Sequence, residues 1–124
     1  MANKHRILVV DPLGSRRDTV VSILEDQGYL VTPAAGFDDA RRELNQGPPD
    51  LLITEVRLGP YNGLHLVLSG QERLPKLPAI VTGHQDDTGL AAESRRCGAT
   101  YLGSTPSEQE LLANVRSALD TPDR

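Results

Sequence analysis

Arg6-Ile-Leu-Val-Val-Asp11 is an unbroken run of β-branched and leucine residues that stops at an acid. A run this apolar cannot face water on one side, so it reads as a strand buried on both faces. Pro12, Leu13 and Gly14 then turn the chain, and Ser15 is placed to cap a helix running to about Gln27. Val20, Ile23 and Leu24 give that helix an apolar face, and Gly28 suits the residue just past its end.

The same unit recurs four more times. Tyr29 to Thr32 reads as a strand and Phe37 to Gln46 as a helix, closed by Gly47-Pro48-Pro49. Leu51 to Thr54 is the third strand; a Gly59-Pro60-Tyr61-Asn62-Gly63 loop leads to a helix from Leu64 to about Arg73. Ala79 to Thr82 precedes a helix over Thr88 to Cys97, closed by Gly98 and started by Asp86-Asp87. Thr100 to Leu102 is the last strand. Ser107-Glu-Gln-Glu110 matches a capping box ahead of Leu111, Leu112, Val115 and Leu119 at helical spacing. Strict alternation of apolar strands and helices predicts an α/β fold, a five-stranded parallel sheet with helices on both faces. A closed barrel needs eight such units, which leaves an open, doubly wound sheet.

The 124 residues suit one domain, with a core over about 5–119 and a frayed tail over 120–124. Eleven Gly and nine Pro fall short of a low-complexity composition, which excludes a fibre or a disordered tail. A net charge of −4 argues against nucleic acid or an anionic membrane as the main partner. The lone Cys97 excludes a disulfide framework and reads as a half-buried small residue. The longest apolar run, Ile7 to Val10, is too short for a membrane span or a signal peptide, so a soluble cytoplasmic protein is expected.

In an open α/β sheet the site lies beyond the carboxyl ends of the strands. Those ends carry Asp11, Glu55, Thr82 and the Ser104–Thr105 pair. Any one of them alone could cap a loop or a helix. Two acids and two hydroxyls on one edge point to a site.

Taken together, Ile7-Leu-Val-Val-Asp11, Pro49-Asp50-Leu-Leu-Ile-Thr-Glu55, Gly63-Leu64, Pro78-Ala-Ile-Val-Thr82 and Gly98-Ala99 leading to Thr105-Pro106 resemble the response-regulator receiver domain of two-component signalling. The likeness is to the chemotaxis-regulator type and covers residues 5–119. It implies a flavodoxin-like (βα)5 fold, a phosphorelay role without enzymatic activity of its own, and a histidine kinase or a downstream output protein as partner. It also implies Mg²⁺, held by acids after the first strand together with a phosphoacceptor Asp after the third. A hydroxyl after the fourth strand and a Lys after the fifth contact the phosphoryl group. The physical need is charge compensation, because a phosphoryl group carries about −1.5 to −2 at neutral pH.

Against that pattern Asp11 matches the first acid, but Pro12 replaces the second. Glu55 stands at the phosphoacceptor position, Thr82 keeps the switch hydroxyl, and Thr105 replaces the lysine. Tyr101 lies near the aromatic switch position, where the spacing puts Leu102. No bound metal is expected, Asp11 and Glu55 being the residual pair that could approach one. Ordinary aspartyl phosphorylation is therefore expected to be lost. Glu55 either mimics the phosphorylated state with a hydrogen bond from Thr82, or the pocket is inert and the fold serves as a binding module. In the second case Asp11 and Glu55 repel and need a counter-ion such as Arg57. Phosphorylation on Glu55 itself is the alternative.

Other classes fit less well. His5, His65 and His84 are scattered, so no nucleophile has a positioned base, although His84 follows a strand end. Pro12-Leu-Gly-Ser15 is not a phosphate cradle, and flavin or other ligand binding rests on fold analogy. The pairs Arg16-Arg17, Arg41-Arg42 and Arg95-Arg96 read as solvated helix faces rather than a nucleic-acid surface. The resemblance places a homodimer or output surface on the fourth helix, fifth strand and fifth helix. The chain is also readable as part of a longer protein.

Overall fold

The computed structural model describes residues 5–83 and 87–120. His84 and Asp86 lie outside the described residues, as do residues 121–124 of the expected tail, while its first residue, Asp120, still belongs to the last helix. The elements run β1 (Arg6–Val10), α1 (Gly14–Asp26), β2 (Leu30–Ala34), α2 (Phe37–Gln46), β3 (Leu51–Glu55), β4 (Arg57–Leu58), β5 (Tyr61–Asn62), α3 (Gly63–Arg73), β6 (Ala79–Thr82), α4 (Thr88–Arg96), β7 (Ala99–Leu102) and α5 (Glu108–Asp120). The main sheet has the order β2-β1-β3-β6-β7, with every pairing parallel. This is the doubly wound α/β architecture the alternation predicts.

Side-chain alternation along the strands sorts the core into two layers. Ile7 and Val9 of β1, with Leu51 and Ile53 of β3, pack with Leu24 of α1 and Leu111 and Val115 of α5. Leu8, Val10 and Leu52 turn to the other face and meet Ala40 and Leu44 of α2 and Leu66 and Val67 of α3. All five residues of β3 are buried, as the central strand of such a sheet must be. Among the described residues no helix is long and apolar enough to cross a membrane.

Three local readings change. Helix α1 starts two residues earlier than expected and has no side-chain cap from Ser15; its N-cap is Leu13, whose backbone N–H donates to the Asp11 carboxylate at 2.9 Å. Strand β2 is shifted toward its carboxyl end, because the Tyr29 N–H is spent on the Leu24 carbonyl as the chain leaves α1. It therefore includes Pro33, which an edge strand tolerates. The Gly59–Pro60 loop is the tip of a small hairpin, with Arg57 paired to Asn62 and Leu58 to Tyr61. Gly59 adopts φ +63°, and Tyr61 stacks on Phe37 with ring centroids 4.3 Å apart.

Two side-chain caps form where the sequence places them. Ser107 Oγ accepts from the Glu110 N–H, and Asp87 accepts from the Leu90 N–H at 3.0 Å. Gly28 and Gly98 both end their helices at positive φ.

The start of α3 is clamped to the end of β3. The Gly63 N–H donates to the Val56 carbonyl at 2.8 Å, and a Cβ at Gly63 would overlap the Glu55 carbonyl oxygen and lie 3.0 Å from Thr54 Oγ1. A Cβ at Gly36 would meet nothing within 4 Å. Gly63→Ala is expected to lower unfolding free energy by about 1–3 kcal/mol through overpacking against backbone. Gly36→Ala should stay within about 0.5 kcal/mol, and urea denaturation of both variants checks the pair.

Candidate functional site

The register of the sheet brings the strand ends together. Glu55 is level with Thr82 across β3 and β6, and Asp11 follows directly on β1, beside β3. Both acids are buried, Asp11 at 6% and Glu55 at 3% exposure. Two carboxylates taken out of water at one edge require compensation, since burial weakens solvent screening.

The compensation comes from Arg16. Its Nε donates to one Asp11 oxygen at 2.5 Å and its Nη2 to the other at 2.8 Å, a bidentate fork. The same Nη2 lies 3.7 Å from Glu55 Oε2. The neighbouring Arg17 donates to the Asp11 backbone carbonyl at 2.8 Å. Thr82 completes the arrangement, its hydroxyl donating to Glu55 Oε2 at 2.9 Å. The Asp11 hydrogen bond is the main cause holding the Arg16 guanidinium above its ordinary pKa, against the opposing effect of burial, with the charges of Asp11 and Glu55 adding to it. Arg16 therefore stays cationic at every working pH.

This corrects two expectations. Arg57 is exposed on β4, because strand alternation turns its neighbours Val56 and Leu58 inward and Arg57 out. Arg16 and Arg17 are not a solvated pair. They occupy the first turn of α1, where side chains lean back toward the helix N-terminus and hence over the sheet edge. That lean, with an acid stranded five residues upstream beside a proline, is the signal by which Arg16 could have been found in place of Arg57. Arg41, Arg42, Arg95 and Arg96 are exposed, in line with the solvated reading.

Thr105 lies with Asp11, Glu55 and Thr82 around a cavity of about 190 Å³ that opens beside the acids. Ser104 is exposed. Tyr101 and Leu102 point to opposite faces of β7: Leu102 packs with the α1–α5 layer and Tyr101 with the other. The Tyr101 ring closes on Gly83, the residue after Thr82, so tightly that a Cβ at Gly83 would overlap the phenolic oxygen. His5, just ahead of β1, and His65, on α3, are exposed. Cys97 is half-buried, and its carbonyl accepts from Gln71 at 2.6 Å.

The sequence matches the response regulator receiver domain family over residues 7–116. It is 28% identical to the DNA-binding transcriptional regulator NtrC of Proteus hauseri over 94% of this chain and 25% of that protein. It is 30% identical to the transcriptional regulatory protein FixJ of Bradyrhizobium diazoefficiens over 96% of this chain and 58% of that protein. The chain thus spans between a quarter and just over half of these relatives. Among solved structures, a response regulator of Chloroflexus aurantiacus aligns at 26% identity and a TM-score of 0.87, covering 96% of this chain and all of that one. A chemotaxis-regulator-like receiver domain of Methanospirillum hungatei shares the fold at a TM-score of 0.88 and 24% identity, covering 95% of each chain.

Removing Arg16 tests the compensation. Breaking a buried pair by deleting one partner costs about 3–5 kcal/mol; with a quarter of the Arg16 side chain exposed, Arg16→Met should cost about 1–3 kcal/mol. The loss should shrink in a Glu55→Gln background, where less charge needs balancing. A double-mutant cycle in urea measures both.

Proposed function

The chain belongs to the response regulator receiver domain family, and from that premise we propose a receiver whose state is set without Mg²⁺-dependent phosphorylation of an aspartate. Its family is one of signalling domains in two-component systems rather than of enzymes. The observation that carries the reading is the continuous set of contacts from Thr82 through Glu55 and Arg16 to Asp11.

The residues present do not suit Mg²⁺. A hard cation needs several oxygen ligands with free lone pairs in near-octahedral array. Both Asp11 oxygens accept from Arg16, and one also from the Leu13 N–H. Pro12 offers no side-chain ligand, and the guanidinium itself would repel a second cation. Thr105 brings no positive charge for an acyl phosphate.

Glu55 carries one negative charge where phosphorylation would add about −1.5 to −2. Thr82 already donates to it, as a hydroxyl would to a phosphoryl oxygen. This hydrogen bond favours the phospho-mimic over the inert pocket. The domain then acts in the cytoplasm as a protein-interaction module held in one state, between a histidine kinase or other input and an output protein. We place its association, including any pairing of two copies, on α4, β7 and α5.

Two measurements test this. Incubated with acetyl phosphate and Mg²⁺, the chain should show no phosphoryl adduct by intact mass. An adduct that disappears in Glu55→Gln would overturn the reading and make Glu55 the acceptor. Charge reversal at the exposed Arg95 and Arg96 should lower the weight-average sedimentation coefficient at high concentration. An unchanged profile counts against self-association through that face.

A further inference from the structure

The cavity beside the acids is lined by more than polar groups. Val9 of β1, Ile53 of β3, Val20 and Ile23 of α1 and Leu111 of α5 give it apolar walls. Leu24 is the residue of α1 that is fully buried, whereas Val20 and Ile23 pack only partly into the core. Apolar surface is thus left in water along this wall. Covering it is favourable in proportion to the area removed from water.

Volume sets the size of a guest. The cavity holds about 190 Å³. That exceeds the roughly 150 Å³ of an engineered apolar cavity that takes up benzene or xenon. It falls short of the roughly 300–1,000 Å³ of pockets for drug-sized ligands. One aromatic ring with a short substituent suits the space. The polar groups set the charge of the guest. Asp11, Arg16, Glu55 and Thr82 also line the cavity, and they are engaged with one another. Both Asp11 oxygens accept from Arg16, and Glu55 accepts from Thr82. A charged head group of either sign enters by displacing one of these partners or by lying unpaired against apolar walls, and both are costly. An uncharged guest leaves every contact in place.

We propose that this cavity binds a small uncharged aromatic molecule slightly larger than benzene, held by apolar contact with α1, α5 and the sheet. The inference goes beyond the reading above and does not rest on it, because the walls are residues that take no part in phosphoryl chemistry. A guest there gives the domain a chemical input independent of any phosphodonor.

The test is titration of the isotopically labelled chain with toluene, followed by backbone amide NMR, with benzylamine and phenylacetate as charged counterparts. Toluene should give saturable shifts at Val20, Ile23 and Leu111, and none at Leu30 and Leu68, which are exposed apolar residues away from the cavity lining. Each charged counterpart should bind about tenfold more weakly or worse, the effect of one polar group left unpaired. Val20→Phe, which takes up space in the cavity, should weaken toluene by about tenfold or more. Ile23→Asn, which puts an amide into the wall, should do the same. Both positions are half-buried, and the wild-type titrations decide by themselves where a variant fails to fold. Four results each overturn the proposal: no saturable toluene shift, shifts as large at Leu30 and Leu68 as at the cavity, a charged counterpart binding as tightly as toluene, or indifference to both variants.

Discussion

Two carboxylates are buried at one edge of a parallel sheet, and the surrounding architecture depends on how their charge is met. The desolvation of an ion pair is repaid only when geometry is good and lone pairs are satisfied. Here one guanidinium supplies a fork to Asp11 and leans toward Glu55, a hydroxyl supplies the second contact to Glu55, and the Leu13 backbone supplies a third to Asp11. The last of these joins the acid directly to the first turn of α1, whose N-cap has no side-chain cap of its own. Charge compensation and the entry of α1 are therefore one piece of structure.

That coupling explains which parts could be read from residues alone. The strands announce themselves because each is a short apolar run bounded by turn residues. Leu51 to Glu55 is buried throughout and needs no partner to be recognised. The ends of those strands follow from the topology, and with them Asp11, Glu55 and Thr82. Arg16 was harder to place. Helical periodicity says which residues share a face, not how the helix axis leaves the strand before it. Only the tight Pro12–Leu13 turn sets the first turn of α1 over the sheet edge. Arg57 shows the converse error: nearness in sequence to Glu55 suggested a contact that strand alternation turns outward.

The same turn bears on the cavity. With α1 held by its first residues to Asp11, its later apolar residues Val20 and Ile23 line the cavity together with Leu111 of α5 and Thr105. The charged cluster and the apolar space below it thus share a wall, so a change in either is felt by the other through Arg16 and Glu55.

Strand β2 has a consequence for solubility. Leu30 donates its N–H to the His5 carbonyl and Ala34 accepts from the Asp11 N–H, so these alternate residues face β1. Val31 and Pro33 accordingly present their backbone outward. A proline there removes one donor from the open edge, which blunts the template that a stray extended segment would need in order to add itself to the sheet. The exposed flank of this fold carries its own guard against cross-strand aggregation, in a residue that an isolated reading of strand propensity would have counted as a defect.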